Sequence, residues 1–265
     1  MHGEADYGFI ISLDTQGSSG LSDPDRPAMR ERYYQVAERA FAKAGLGGAR
    51  LFQEDRGDGI LAVVEARRTE RVAGEWVEHL HQELRQVNRD LQRPLRLRAG
   101  LNIGPVTPDG HGFSGAAVDL ACRIGNCAEA KSVLAAAPGS PLLVAVSDRL
   151  YQDVIRHGGR WIEPGRYRQY DVALQEGPQR PWFMVPGRTS PPAAARPGEP
   201  AAAPTPAPSP APAPAPASSP APGSAEPPAG ARTFTFGAVT HSGSGDVYQG
   251  DIHEVTIDRR RGERS

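Results

Sequence analysis

The sequence predicts one α+β domain, residues 5 to 187, in which helices cover a mostly antiparallel or mixed sheet. Three observations carry this. Short apolar runs alternate with amphipathic stretches of helical period. An Asp-Gly pair sits between two strand-like runs, a strong hairpin signal. Apolar content then collapses near Arg188, where a Pro/Ala-rich segment begins.

The elements follow in order. Tyr7 to Leu13 (YGFIISL) is apolar without alternation, as a strand buried on both faces requires. It stops at Asp14 and a Gly/Ser loop. A helix starts near Pro27, whose fixed φ suits a first turn. Tyr33, Val36, Ala37, Ala40, Phe41 and Ala44 make its apolar stripe, and Gly45 ends it. Strands at about 49–54 and 60–65 flank Arg56-Gly57-Asp58-Gly59. A long amphipathic helix is expected over 69–91, with Pro94 past its end. Leu95 to Ile103 alternates apolar with polar or basic residues and predicts a half-exposed strand. A Gly/Pro-rich loop leads to a third helix at about 115–124. A strand at 142–146, a helix at 147–157 capped by Ser147, and closing strands at 167–174 and 182–185 complete the domain.

From 188 to 230 the Pro/Ala-rich sequence cannot bury apolar surface and reads as an extended tether, able to hold its ends on the order of 100 Å apart. Residues 231–258 (FTFGAVTHSGSGDVYQGDIHEVTI and its flanks) are β-prone, low in net charge and too few for a core, which suits cross-β self-association. A basic end, 259–265, follows.

Composition excludes several classes. The 265 residues carry a formal net charge of -1, so no broad basic field exists for nucleic acid, which is not an expected partner. Cys122 and Cys127 are too few for a disulfide framework. The opening MHGEADYGFII lacks a basic n-region and a long apolar run, and no segment has the length to span a bilayer. The expected location is therefore cytoplasmic. No G-x-x-x-x-G-K-[ST] phosphate loop is present, and Ser114 in GFSGA misses the G-x-S-x-G elbow.

The chemistry resides in acidic residues at element ends. Asp14 closes a buried strand and Asp58 sits at the tip of the hairpin. If these elements are neighbours, both carboxylates can face one ion. Two carboxylates plus substrate phosphates is the usual way of holding Mg²⁺. Downstream, a helix bears Asp119 and Arg123. Their i, i+4 spacing also allows a plain ion pair, and Glu54 could be simply an exposed strand carboxylate.

These residues resemble the class III nucleotidyl cyclase catalytic domain, the adenylate/guanylate cyclase type, over roughly Tyr7 to Val185. FIISLD, EDRGDGILAVV, LRAGLNIGPV and GFSGAAVDLACR carry the likeness, which is nearest to a divergent actinobacterial-style branch. The resemblance implies a ferredoxin-like βαββαβ core with added strands and helices. It implies a homodimer with composite sites, a purine nucleoside triphosphate as ligand, and Mg²⁺ or Mn²⁺ as cofactor. Asp14 and Asp58 match the metal aspartates. Glu54, three before Gly57, falls where guanylate cyclases keep a Glu and adenylate cyclases a Lys, favouring GTP. Arg123 matches the arginine that stabilises transition-state charge. Three positions depart from the pattern: Asp119 replaces an Asn, Gly112 a purine-contacting Asp or Cys, and Gln175 a phosphate-binding Lys. The resemblance thus admits a cyclase, or a nucleotide-binding relative without turnover. In the tail, SGSGDVYQGDIH resembles the amyloid signalling motifs of bacterial immune and cell-death proteins, implying self-association or a partner with a matching motif.

Overall fold

The computed structural model describes residues 6–17, 24–108 and 112–194. The tail motif and most of the Pro/Ala segment lie outside the described residues. Strand β1 (Asp6–Thr15) is central, as its unbroken apolar run requires, and Phe9, Ile10 and Ile11 are fully buried. It pairs antiparallel with β3 (Gly59–Glu65) on one side and β4 (Leu97–Pro108) on the other. Strand β2 (Arg50–Asp55) pairs with β3 outside them. The first four strands therefore stand in the order β2-β3-β1-β4, with helical segments between β1 and β2 and between β3 and β4, the ferredoxin-like arrangement expected.

The sheet then extends. Strand β6 (Leu142–Val146) lies parallel to β4, and β10 (Trp182–Met184) and β7 (Arg168–Gln169) add antiparallel edges. Strand β5 (Phe113–Ser114) folds back on the end of β4.

One face of the sheet is covered by α1 (Asp25–Lys43) and by the helix entered through α2 (Thr69–Arg71). That helix widens into a π turn, Val72–Trp76, before continuing as α3 (Val77–Val87). Phe41, Trp76, Leu80 and Leu84 meet Phe9, Ile11 and Leu13 there in the main core. Sequence periodicity reads this as one helix to residue 91. The widened turn interrupts it, and a short 3₁₀ turn, Asn88–Asp90, ends it, because the Asn88 amide exchanges two hydrogen bonds with the Leu95 backbone at 2.7 and 2.8 Å.

The opposite face carries α4 (Ala116–Asn126) over the centre and α5 (Ala128–Ala135) over β6 and β10. Helix α4 lies with its backbone almost on β4. A Cβ added at Gly100 would stand 2.0 Å from the Ala121 carbonyl oxygen, and one at Gly125 2.9 Å from the Gly100 nitrogen. Its presence corrects the expectation of a half-exposed fourth strand. Arg98 and Asn102 are buried beneath it, and each is satisfied rather than solvated. Asn102 donates to Ala117 O at 2.9 Å and accepts from Ser147 Oγ at 2.7 Å.

Two other expectations change. Helix α5 was not anticipated, because its cap is Cys127, whose sulfur accepts from Ala130 N–H at 3.4 Å. The closing strand at 167–174 divides: β7 stays in the sheet, whereas β8 (Val172–Leu174) turns away to pair with β9 (Gly177–Gln179). The helix after Ser147 is α6 (Asp148–Asp153), and Ser147 Oγ caps it by accepting from Leu150 N–H at 3.1 Å. The chain stays on the domain past residue 187: Tyr170 donates to Pro192 O at 2.5 Å and Ala194 packs against the apolar cluster under α5. Among the described residues no helix is long and apolar enough to cross a membrane.

Gly100→Ala is expected to cost on the order of 3 kcal/mol, because the obstacle is backbone and α4 must lift. Gly165→Ala, with nothing within 4 Å, should change stability by less than about 0.5 kcal/mol. Urea unfolding of the two variants measures both.

Candidate functional site

Hairpin geometry brings the two predicted metal aspartates together. Gly57 takes a positive φ of 85° at the β2–β3 turn, and its N–H donates to Asp55 Oδ1 at 2.7 Å. The turn is then tied to the end of β1: Thr15 N–H and Thr15 Oγ1 both donate to the Asp58 carbonyl, at 3.1 and 2.9 Å. Asp14, one residue earlier, pairs across to Gly59 and Arg98. Asp14 and Asp58 therefore line one cavity of about 360 Å³, together with Thr15, Gln16, Arg98, Asn126 and Lys131.

Arg98 organises this cavity from below. Its side chain is 3% exposed and ion-pairs with Asp14 Oδ2. It also donates to Gln16 Oε1, to Gly125 O at 3.0 Å and to Asn126 Oδ1 at 3.1 Å. Burial raises the proton affinity of Asp14; the Arg98 charge opposes this, the Asp58 carboxylate adds to it, and Lys131 opposes it. Among the described residues, no hydrogen bond uses Asp14 Oδ1.

A divalent ion suits this donor set. Among the described residues no group of three or more His, Cys, Asp or Glu side chains forms a cage. Asp14 and Asp58 are the residues of this cavity that could hold a divalent ion such as Mg²⁺, which takes one or two carboxylates and keeps several waters.

The remaining predicted residues stand elsewhere. Glu54 lies in β2 opposite Leu61, half-buried, and accepts from Arg56 at 3.2 Å. Phe52 stands two residues before it on the same face, and a Cβ at Gly112 would meet the Phe52 ring at 2.6 Å, so Gly112 and Glu54 share one region. Asp119 is exposed in the first turn of α4. Arg123, one turn on, takes Gln175 Oε1 at 3.3 Å and ion-pairs with Glu176 on the β8–β9 turn. The structure thus joins Arg123 to Gln175, and its ion-pair partner is Glu176 rather than Asp119. None of these five residues lines the cavity of Asp14 and Asp58.

Sequence reasoning missed Arg98, Thr15 and Lys131. A basic residue within an otherwise apolar strand was the available signal for Arg98. The partners of Thr15 and the approach of Lys131 depend on tertiary placement and left no local mark.

No family profile and no curated protein sequence matches the chain. Solved structures do resemble it. The guanylyl cyclase Cya2 shares 20% identity at a TM-score of 0.51, covering 71% of this chain and 96% of that one. The adenylate/guanylate cyclase/hydrolase from Silicibacter pomeroyi shares 23% identity at 0.50, covering 70% and 99%. At these identities the likeness is one of fold: the described domain has the fold of adenylate/guanylate cyclase catalytic domains.

Arg98→Met is expected to cost about 2 kcal/mol at neutral pH, because it leaves the partly buried Asp14 carboxylate without its counter-charge. The pH dependence has a definite sign. A carboxyl whose native proton affinity exceeds its unfolded value, 3.8 for Asp14, binds more protons in the folded state, so its contribution falls as pH rises above about 4. Arg98→Met should steepen that fall, and Asp14→Asn should abolish it. Urea midpoints from pH 4 to 7 test both.

Proposed function

We propose that this chain binds a purine nucleoside triphosphate with Mg²⁺ or Mn²⁺ as a homodimer of the nucleotide cyclase type, GTP being favoured over ATP. The observation that carries the reading is the pair of carboxylates, Asp14 and Asp58, held on one cavity by the Thr15–Asp58 hydrogen bonds. A divalent ion bound there supplies charge neutralisation for the triphosphate and for a departing pyrophosphate.

The chain's own residues divide the other tasks. Arg98 orients Asp14 and offsets its charge, and Lys131 adds a cation beside the phosphates. Glu54 would accept from the guanine N1–H and exocyclic amine, groups that adenine does not present in that pattern. Arg123 would spread the phosphate charge. Glu54, Gly112, Asp119, Arg123 and Gln175 lie off the Asp14–Asp58 cavity, so the reading needs a second copy to complete the site. A two-fold axis that sets these residues of one copy beside the cavity of the other makes two complete sites, as an isologous interface requires.

A second reading, a nucleotide sensor without turnover, is favoured by Arg123. Its guanidinium is taken by Glu176, and Asp119 adds a carboxylate one turn before it. The pair is partly exposed, so its strength is within about 1 kcal/mol and phosphate could displace it. In either reading the output passes along the Pro/Ala segment to residues 231–258, which assemble with copies of themselves or a partner of matching motif.

Calorimetric titration of the full chain with non-hydrolysable GTP and ATP analogues is the test. Binding should require Mg²⁺, favour the GTP analogue, and weaken at least about tenfold in Asp14→Asn and Asp58→Asn. No metal-dependent binding of either analogue overturns the proposal. Incubation with GTP and Mn²⁺ separates the two readings: cyclic product supports the enzyme, and binding without product supports the sensor. For the tail, a 231–258 peptide should form thioflavin-positive fibrils that Gln249→Pro abolishes; a peptide that stays monomeric overturns that part.

A further inference from the structure

Arginines without a carboxylate partner collect on one groove. Two hollows, of about 490 and 540 Å³, adjoin at residues 138–141 and share Arg85. His81 and Arg188 line the first, and Arg89 and Arg96 the second. Neither is lined by an Asp or Glu, and neither shares a residue with the Asp14–Asp58 cavity. Elsewhere the arginines are mostly paired, as Arg30 is with Asp55, Arg50 with Glu38 and Arg180 with Asp171. Arg85, Arg89, Arg96 and Arg188 form no ion pair among the described residues.

The orientation of two of them is nevertheless built. Arg96 donates to Ser140 O and Ala137 O, both at 3.0 Å, and Arg188 donates to Ser140 Oγ at 3.2 Å and Pro138 O at 3.4 Å. These neutral acceptors fix the guanidinium planes without cancelling their charge. Burial lowers the proton affinity of His81, and against the pull of Glu78 the charges of Arg85 and Arg166 lower it further. The chain as a whole carries -1, so this is a local concentration of charge, not the consequence of a basic protein.

Two held guanidiniums, Arg96 and Arg188, and two exposed ones, Arg85 and Arg89, thus surround a concave, acid-free surface, and their remaining N–H donors suit phosphate oxygens. Each hollow is of the size that takes a small ligand. We propose that this groove binds an oligophosphate, inorganic or carried on a nucleoside, at a site separate from the Asp14–Asp58 cavity. An occupant would bridge the end of α3, which carries Arg85, to Arg188, where the chain has left β10 and approaches the Pro/Ala segment.

The test is titration of the full chain with inorganic triphosphate in EDTA, which silences the metal-dependent cavity. Binding is expected, unchanged in Asp58→Asn and at least about tenfold weaker in Arg85→Ala/Arg89→Ala. Both arginines are exposed, so that variant should fold, as circular dichroism checks. Arg156→Ala/Arg160→Ala removes the same charge elsewhere and should leave binding intact. A nucleoside triphosphate in EDTA distinguishes the sources: equal affinity assigns recognition to the phosphates alone, and tighter binding adds a contact to the nucleoside. No binding in EDTA, loss in the aspartate variant, or equal weakening by both arginine pairs overturns the proposal.

Discussion

A buried guanidinium has no stable existence without partners, and much of this domain is arranged around the one belonging to Arg98. It sits in β4 under α4, reaches the carboxylate that ends β1, and takes the Gly125 carbonyl and the Asn126 amide from the last turn of α4. Two strands and a helix thus meet at a single cation. The cost of desolvating it is offset by one ion pair and several hydrogen bonds, and that compensation demands that all three elements be in register. The same contacts turn Asp14 towards the cavity, so the interaction that secures the fold also sets the candidate site.

The two faces of the sheet answer different needs. Beneath α1 and α3 the core is apolar and aromatic, with Phe41 and Trp76 rings 5.4 Å apart, and burial there supplies the main driving force. Beneath α4 the helix approaches so closely that side chains at Gly100 and Gly125 are excluded, and polar groups take up the space to either side. Asn102 joins that layer to Ser147 and thereby to the start of α6. Close backbone contact and directed hydrogen bonds are thus added, on this face, to the apolar clusters under α4 and α5, and they fix the elements that carry the two carboxylates.

Much of this was legible in the sequence where local pattern and final environment agree. The apolar run of β1, the stripe of α1 and the Asp-Gly turn all stand where periodicity puts them, and the turn's nearness to Asp14 followed from the strand order. What escaped was set by contacts between distant segments. Arg98 and Asn102 alternate with apolar residues as a solvated face would, and only α4 turns that face inward. Helix α5 is capped by a thiol, which carries no ordinary start signal. Arg123 has a carboxylate four residues away in sequence, yet its partner is Glu176, delivered by a hairpin of which the sequence pattern marks only the first strand. The interruption at Val72–Trp76 likewise has no signature in an apolar stripe that continues through it.

The placement of β1 has a consequence for synthesis. Its two neighbours are later strands, and the contact between Asp14 and Arg98 spans 84 residues. At roughly 5–20 residues per second, the ribosome needs on the order of 4–17 s to make that intervening chain. Throughout that interval the nascent chain carries Phe9, Ile10 and Ile11 on a strand with one edge still lacking its mate. Strand β1 thus stays half-sheltered until β4 follows it, and the danger of wrong pairing falls on the growing polypeptide more than on the finished protein.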